Sequence, residues 1–367
     1  MRISRRWTTF RWATVSLVIP ALLNGCLMGE EESKSSEETA FDHVVTGSVG
    51  DGPIVGASMR VFRSNGEEIA QFESDSNANF SVTVRADGKD YPLAIDSRGG
   101  TDLVTNSEPD FDLIGAVIEP GDSSIANVNP FTTFAIELAA GLPGAADKTN
   151  VETAENIVAS KLNFGLDSLV TSGVMNTAID GGNIAEIVRA SEALGETVRR
   201  TRDALISSGY ATDGNSVLRA ISSDLVDGMI DGVGGPQANA RFAAVWIVVS
   251  AQVSLETMAN ELHVNGGNAT ALMSTAMELV SNGNISPTLA ELDSTTEMIE
   301  QARIGLQASH AISADTDIAD LLDAANGIHS GASSSTIRNL VLPDDYRVRL
   351  DNAILLVAGG DNSVVDA

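Results

Sequence analysis

The sequence predicts a mixed chain: a small antiparallel β-sandwich followed by an all-α helical domain. Three observations predict it. Between residues 43 and about 128, apolar residues recur at every second position and are broken by turn residues. From residue 129 onward they recur at three and four. Ahead of both lies an opening segment that is basic, then apolar, then acidic, and reads as neither. The chain has 367 residues and is 43% hydrophobic, ample for two cores.

The opening segment carries Arg2, Arg5, Arg6 and Arg11 and no acid before the apolar run Trp12 to Leu23. That run fits the ~7–15 residues of a secretory signal and is short of the ~20 that a spanning helix needs. It closes in Leu23-Asn24-Gly25-Cys26. These residues resemble the lipobox of bacterial lipoproteins, with a small Gly25 before the cysteine and an aliphatic Leu23 two residues earlier. The resemblance implies cleavage between Gly25 and Cys26 and acylation of Cys26. That accounts for the only cysteine in the chain as a lipid attachment point. Burial of acyl chains contributes ~0.8 kcal/mol per CH₂, so a stable anchor takes several chains, which the lipoprotein family supplies. Leu27, not Asp, follows the cysteine, which by the same resemblance implies the outer membrane. The alternative is a signal, cleaved ordinarily or not at all, with an incidental Cys26. Ser4-Arg5-Arg6-Trp7 touches the twin-arginine pattern, but Thr8 and Thr9 stand where it needs apolar residues.

Residues 1–25 are therefore read as the leader, and 26–42 as the lipidated cysteine and an acidic, serine-rich tether. Residues 43–128 are read as the sandwich. There Ala57, Met59 and Val61 alternate with Ser58, Arg60 and Phe62, and Phe80, Val82 and Val84 with Ser81, Thr83 and Arg85. Asp51-Gly52-Pro53, Ser64-Asn65-Gly66 and Asp87-Gly88 supply turns. Gly47-x-Val49-x-Asp51-Gly52-Pro53-Ile54-x-Gly56-Ala57, then Asn65-Gly66, then Asp75-x-Asn77-x-Asn79-Phe80-x-Val82, resembles a carboxypeptidase regulatory-like (transthyretin-like) domain. Ala78 and Asn79 stand where that family has its glycine turn. The resemblance implies a fold and an extracytoplasmic setting, not peptidase activity. Residues 43 to 88 hold no lysine, which excludes a Lys–Asn isopeptide crosslink. Asp75-x-Asn77-x-Asn79 touches the EF-hand loop, but Phe80 and Ala86 replace its glycine and its last glutamate, so a hairpin turn is expected.

Asn127-Val128-Asn129-Pro130-Phe131-Thr132-Thr133 marks the change of period, with Asn129 as cap and Pro130 at the first helical position. Residues 129–367 are read as about seven or eight helices. Asn150 is expected to cap one over 151 to 162, and Asn183 to lead a long one that Gly209 stops. Asp213 or Asn215 opens the next, and Pro236 a central one, apolar nearly all round from Phe242 to Val249. Helices near 268–281, 287–308, 315–325 and 344–357 follow.

Chemistry is less legible. His43, His263, His310 and His329 show no metal-ligand spacing, and no nucleophile elbow or P-loop appears. No cofactor and no metal site is expected. The densest charged cluster is Glu192, Glu196, Arg199, Arg200, Arg202 and Asp203. Its i,i+4 pairs Glu196–Arg200 and Arg199–Asp203 read as a solvated helix face, with an anion clamp built from Arg199 and Arg202 as the sharper alternative. The corners at Asp180, Asp213 and Asp231 are read as caps and turns, although they could hold a cation.

Net charge is −28, and −32 once the leader takes its four arginines and no acid. Such a surface repels nucleic acid, which is not an expected partner. Aromatic residues make up 4%, too few for a sugar platform unless Trp246 or Tyr210 is exposed. The expected role is a non-enzymatic binding or scaffolding protein of the cell envelope. Its partners are the membrane, through acyl chains, and an envelope protein. The alternative is an envelope hydrolase with its site between the β and α domains, where His310 would have to meet Asp and Ser side chains.

Overall fold

The computed structural model describes residues 40–144, 146–166, 173–281, 289, 296–329 and 345–360. Cys26, the leader and nearly all of the tether lie outside the described residues. So do Asp344 and, Leu289 apart, the first residues of the helix expected from 287.

The β region forms two facing sheets. In the first, β1 (Phe41–Ser48) pairs antiparallel with β5 (Asn79–Ala86) and parallel with β9 (Ser123–Ile125). That parallel edge, followed by a parallel bridge between Val49 and Val128, departs from the expected antiparallel order. The second sheet is antiparallel throughout: β4 (Glu68–Glu73), β3 (Ser58–Phe62), β6 (Leu93–Arg98) and β8 (Leu113–Val117). A short pair, β2 (Ile54–Val55) with β7 (Thr101–Asp102), closes one end. The period-two pattern reports burial: Met59, Val61, Phe80 and Val84 point inward, and the Phe72 and Phe80 rings meet between the sheets at 5.4 Å. The Asp75 stretch is the expected turn. Asp75 Oδ1 accepts the N–H groups of Asn77 and Asn79 at 2.8 and 2.9 Å, and Ala78 takes φ +58°.

At the change of period, Asn129 caps α1 (Pro130–Gly141) in a capping box with Thr132. The rest of the motif ties helix to sheet. Thr133 Oγ1 accepts the Ile114 N–H at 2.9 Å, and Thr132 Oγ1 donates to the Ile114 carbonyl at 2.7 Å. Asn127, buried, accepts from Ser48 and donates to the carbonyls of Val174 and Thr177.

The helices follow their caps. α2 (Lys148–Lys161) starts earlier than expected because Asp147 caps it, accepting from the Asn150 N–H at 2.9 Å. α3 (Ile184–Ser207) follows Asn183, whose side chain ties the preceding turn and does not cap the helix; Gly209, at φ +91°, lies just past its end. Asp213 caps α4 (Gly214–Asp224). Asn239, not Pro236, opens α5 (Ala240–Met258), which is buried almost throughout from Ala243 to Met258. After a two-residue hairpin, β10 (His263–Val264) and β11 (Gly267–Asn268), come α6 (Ala269–Val280), α7 (Thr296–Ser313), α8 (Thr316–His329) and α9 (Tyr346–Gly359). Among the described residues no helix is long and apolar enough to cross a membrane.

Two apolar clusters form, as the hydrophobic content allows, but they do not divide at residue 129. The larger runs from Val45 and Met59 through Phe134 and Leu138 to Val245 and Trp246, across the junction of strands and helices. The smaller joins Leu255, Met298, Leu306 and Leu350 among α5, α7 and α9.

Candidate functional site

Most of the charged cluster of α3 is not a solvated face: Glu192, Glu196 and Arg199 are buried, Arg200 and Arg202 are half-buried, and Asp203 is exposed. Thirteen consecutive residues, Ile187 to Arg199, are buried. Sequence spacing sees only the charges on one helix. Here α3 is enclosed by α5 and by the loop between β1 and β2, and the charges neutralise one another in the interior.

Arg199 is the centre. Its Nη1 donates to Asp51 Oδ2 at 2.5 Å, its Nε to Glu196 Oε2 at 2.8 Å, and its Nη2 to Glu192 Oε1. The network continues outward. Arg200 joins Glu196 at 2.8 Å and grips Glu256 of α5 through both nitrogens, at 3.1 and 2.8 Å. Arg347 at the start of α9 also reaches Glu256, at 2.8 Å, and Arg200 donates to the His263 carbonyl at 2.9 Å. Arg202 bridges to Asp110 at 2.6 Å and to Asp203 at 2.8 Å. The anions that Arg199 and Arg202 clamp are thus the chain's own carboxylates, and the partner of Arg199 expected at i+4 is replaced by Asp51 of the sandwich.

Small size at Gly195 makes this possible. A Cβ there would lie 1.9 Å from Asp51 Oδ1, so only glycine lets the carboxylate rest against the helix backbone. Burial raises the Asp51 carboxyl to about 7 against the pull of Arg199, and it pushes Glu192 well above the usual carboxylate range.

Beside this network lies a cavity of about 160 Å³, bounded by residues 48–53, the 77–79 turn, Asn129, residues 179–191 and the end of α6. Three of its lining residues carry a buried polar atom with no hydrogen-bond partner among the described residues: Asp51 Oδ1, Asn129 Nδ2 and Ser191 Oγ. These residues are 2%, 4% and 1% exposed. Native interiors leave few such atoms, and these three, each with almost no accessible surface of its own, belong to residues around one cavity. Sequence reading missed Asp51 and Asn129 as site residues because each already had a local explanation, a turn and a helix cap.

A second cavity, about 410 Å³, lies among α2, α5 and α7, where Met229 and Ile304 are about half exposed. Trp246 borders it but is 1% exposed, packed edge-on to Phe134; Tyr210 is on the surface. His310 lines neither cavity: its Nδ1 pairs with the Asp315 carbonyl at 2.9 Å near the end of α7. The corners at Asp180, Asp213 and Asp231 each accept backbone N–H groups, as turns and caps do. Among the described residues no group of three His, Cys, Asp or Glu side chains is placed to hold a metal ion.

Compared with protein-family models and with curated proteins, the chain matches none.

Proposed function

We propose that the chain is a cell-envelope lipoprotein, anchored through acyl chains on Cys26, that acts as a non-enzymatic binding or scaffolding protein. The observation that carries the binding reading is the junction cavity, three of whose lining residues carry a buried polar atom without a partner. The lipobox-like Leu23–Cys26 and the acidic tether support the address, and Leu27 supports the outer membrane. The resemblance of residues 47–82 to a carboxypeptidase regulatory-like domain agrees with an extracytoplasmic setting. The apolar groove beside Met229 and Ile304 supports an envelope protein as second partner, met by the helical part. A charge of −28 speaks against nucleic acid.

The test is made in intact cells. Wild-type chain and Cys26→Ser are labelled with a fatty-acid analogue, fractionated, and cross-linked. The reading expects the wild type to take the label, to fractionate with membrane and to capture one abundant envelope protein, all three lost in Cys26→Ser. An unlabelled wild type that is soluble, monomeric and free of cross-links overturns it.

A further inference from the structure

His263 opens the hairpin β10–β11 and ties it to two helices at once. Its carbonyl accepts from Arg200 of α3 at 2.9 Å, and its Nδ1 lies 2.8 Å from Nη2 of Arg347, in the first turn of α9. The same Nδ1 lies 2.6 Å from the Glu261 carbonyl oxygen. These two contacts need opposite states of one nitrogen. A guanidinium N–H only donates, so it needs a bare Nδ1; a carbonyl only accepts, so it needs Nδ1–H. One imidazole does not satisfy both together.

The donors decide which state belongs to the neutral ring. Arg347 Nη2 has two hydrogens. One goes to Glu256 Oε2 at 2.8 Å, which leaves the other for His263 Nδ1, with the Glu261 carbonyl farther off at 3.4 Å. Arg347 Nε is already spent on the Tyr346 hydroxyl at 2.9 Å. Neutral His263, with its proton on Nε2, therefore accepts from Arg347. The Glu261 carbonyl then faces a lone pair, and that contact becomes a hydrogen bond when Nδ1 gains a proton.

The surrounding charges set the consequence. The ring is faced by Arg200 of α3 with Glu196 behind it, by Glu256 of α5, by Arg347 and Tyr346 of α9, and by Glu261 beside it in the chain. α6 adds only Glu278, in its last turn, and the sandwich meets the hairpin tip through the Thr105 carbonyl, which accepts from Asn265 at 3.2 Å. A protonated His263 is a third cation around the one buried carboxylate, Glu256. It repels Arg347, whereas the bond from Arg200 to the His263 carbonyl does not depend on the ring. The hairpin stays on α3, and α9 yields. Tyr346 and Leu350 of α9 belong to the smaller apolar cluster, so its edge is what such a release uncovers.

We propose that His263 is a proton-operated latch on α9: neutral, it accepts from Arg347 and holds the start of the helix; protonated, it donates to the Glu261 carbonyl and lets Arg347 go. Imidazole is the side chain that changes charge between about pH 5 and 8, which sets the window. The inference is independent of the binding reading.

The purified full chain and His263→Gln are compared by hydrogen–deuterium exchange at about pH 7.5 and about pH 5.5, each rate corrected for the intrinsic pH dependence of amide exchange. Glutamine offers Arg347 a carbonyl oxygen and does not titrate. In wild type, protection of the Arg349 and Leu350 amides is expected to fall about fivefold or more on acidification, relative to α1. In His263→Gln it should stay level. A fall of equal size in both proteins, or in neither, overturns the latch. The nitrogen-15 shifts of the His263 ring in wild type decide the matter even where the variant does not fold. A bare Nδ1 at the higher pH and a protonated one at the lower supports the latch. An Nδ1 that carries its proton, or lacks it, at both overturns it.

Discussion

Asp51 and Arg199 stand 148 residues apart in the chain, and their side chains meet at 2.5 Å in the interior. That contact fastens the loop after β1 to the middle of α3. It makes the sandwich and the helices one packed unit, in keeping with the apolar core that crosses between them.

Removing the guanidinium strands three buried carboxylates. Arg199→Ala is therefore expected to cost about 3–5 kcal/mol, the range for breaking a buried pair from one side. Arg199→Lys should recover little, because one ammonium does not reproduce three directed N–H bonds. Urea unfolding measures both. A loss under about 1 kcal/mol in Arg199→Ala, the range of an exposed pair, would mean the network is a surface feature.

The Asp51 carboxyl has a definite pH signature. Its folded pKa, about 7, lies above the 3.8 of an unperturbed aspartate, so folding favours the protonated form. The sign follows: this contribution to stability is full below about 4 and is lost as pH rises towards 7. His43, buried against Tyr91 and Ser124 with its pKa lowered chiefly by burial, works in the opposite direction. The Asp51 contribution is therefore read as a difference. The stability advantage of wild type over Asp51→Asn should shrink between pH 4 and pH 7. An advantage that grows across that window would show that Asp51 is ionised at low pH.

Gly195→Ala should cost about 1–3 kcal/mol or more despite the better helix propensity of alanine, because its Cβ would sit 1.9 Å from Asp51 Oδ1. Gly359→Ala, with nothing within 4 Å, is the control and should be neutral or slightly stabilising. Equal melting temperatures for the two variants would contradict the packing of Asp51 on α3.

Thr133→Val keeps shape but leaves the Ile114 N–H without its acceptor. The expected cost is about 1–3 kcal/mol, with faster amide exchange at Ile114 as the local readout. Unchanged exchange there would show that the Thr133 hydroxyl does not hold the sheet to α1.

Ala78→Gly tests the turn between β4 and β5. A glycine placed in a chain usually costs stability, but Ala78 sits at φ +58°, where its Cβ is strained. The substitution should fall between neutral and about 1 kcal/mol stabilising. A loss of the usual size for alanine to glycine would remove the strain argument.

Much of the architecture was legible in the residues alone. Period two between 43 and 128 gave the strands, and Asn129-Pro130 gave the first helix, since both are local signals carried by neighbouring residues. Helix starts slipped by a few positions where a better acceptor stood upstream or downstream, as with Asp147 for Asn150 and Asn239 for Pro236. The parallel edge at β9 was not legible, because pairing between distant strands leaves no mark in spacing.

What tertiary structure alone decided is the fate of the charges. On its own helix Arg199 is expected to pair with Asp203, four residues on, on a solvated face. In the fold it holds Asp51, 148 residues earlier, together with Glu192 and Glu196, and is buried. The reason is physical: i,i+4 spacing determines which charges can meet on one helix, whereas burial is determined by what packs over them. The same holds for Asn129 and Ser191, ordinary as a cap and a helix serine, until folding places both residues around one cavity with Asp51.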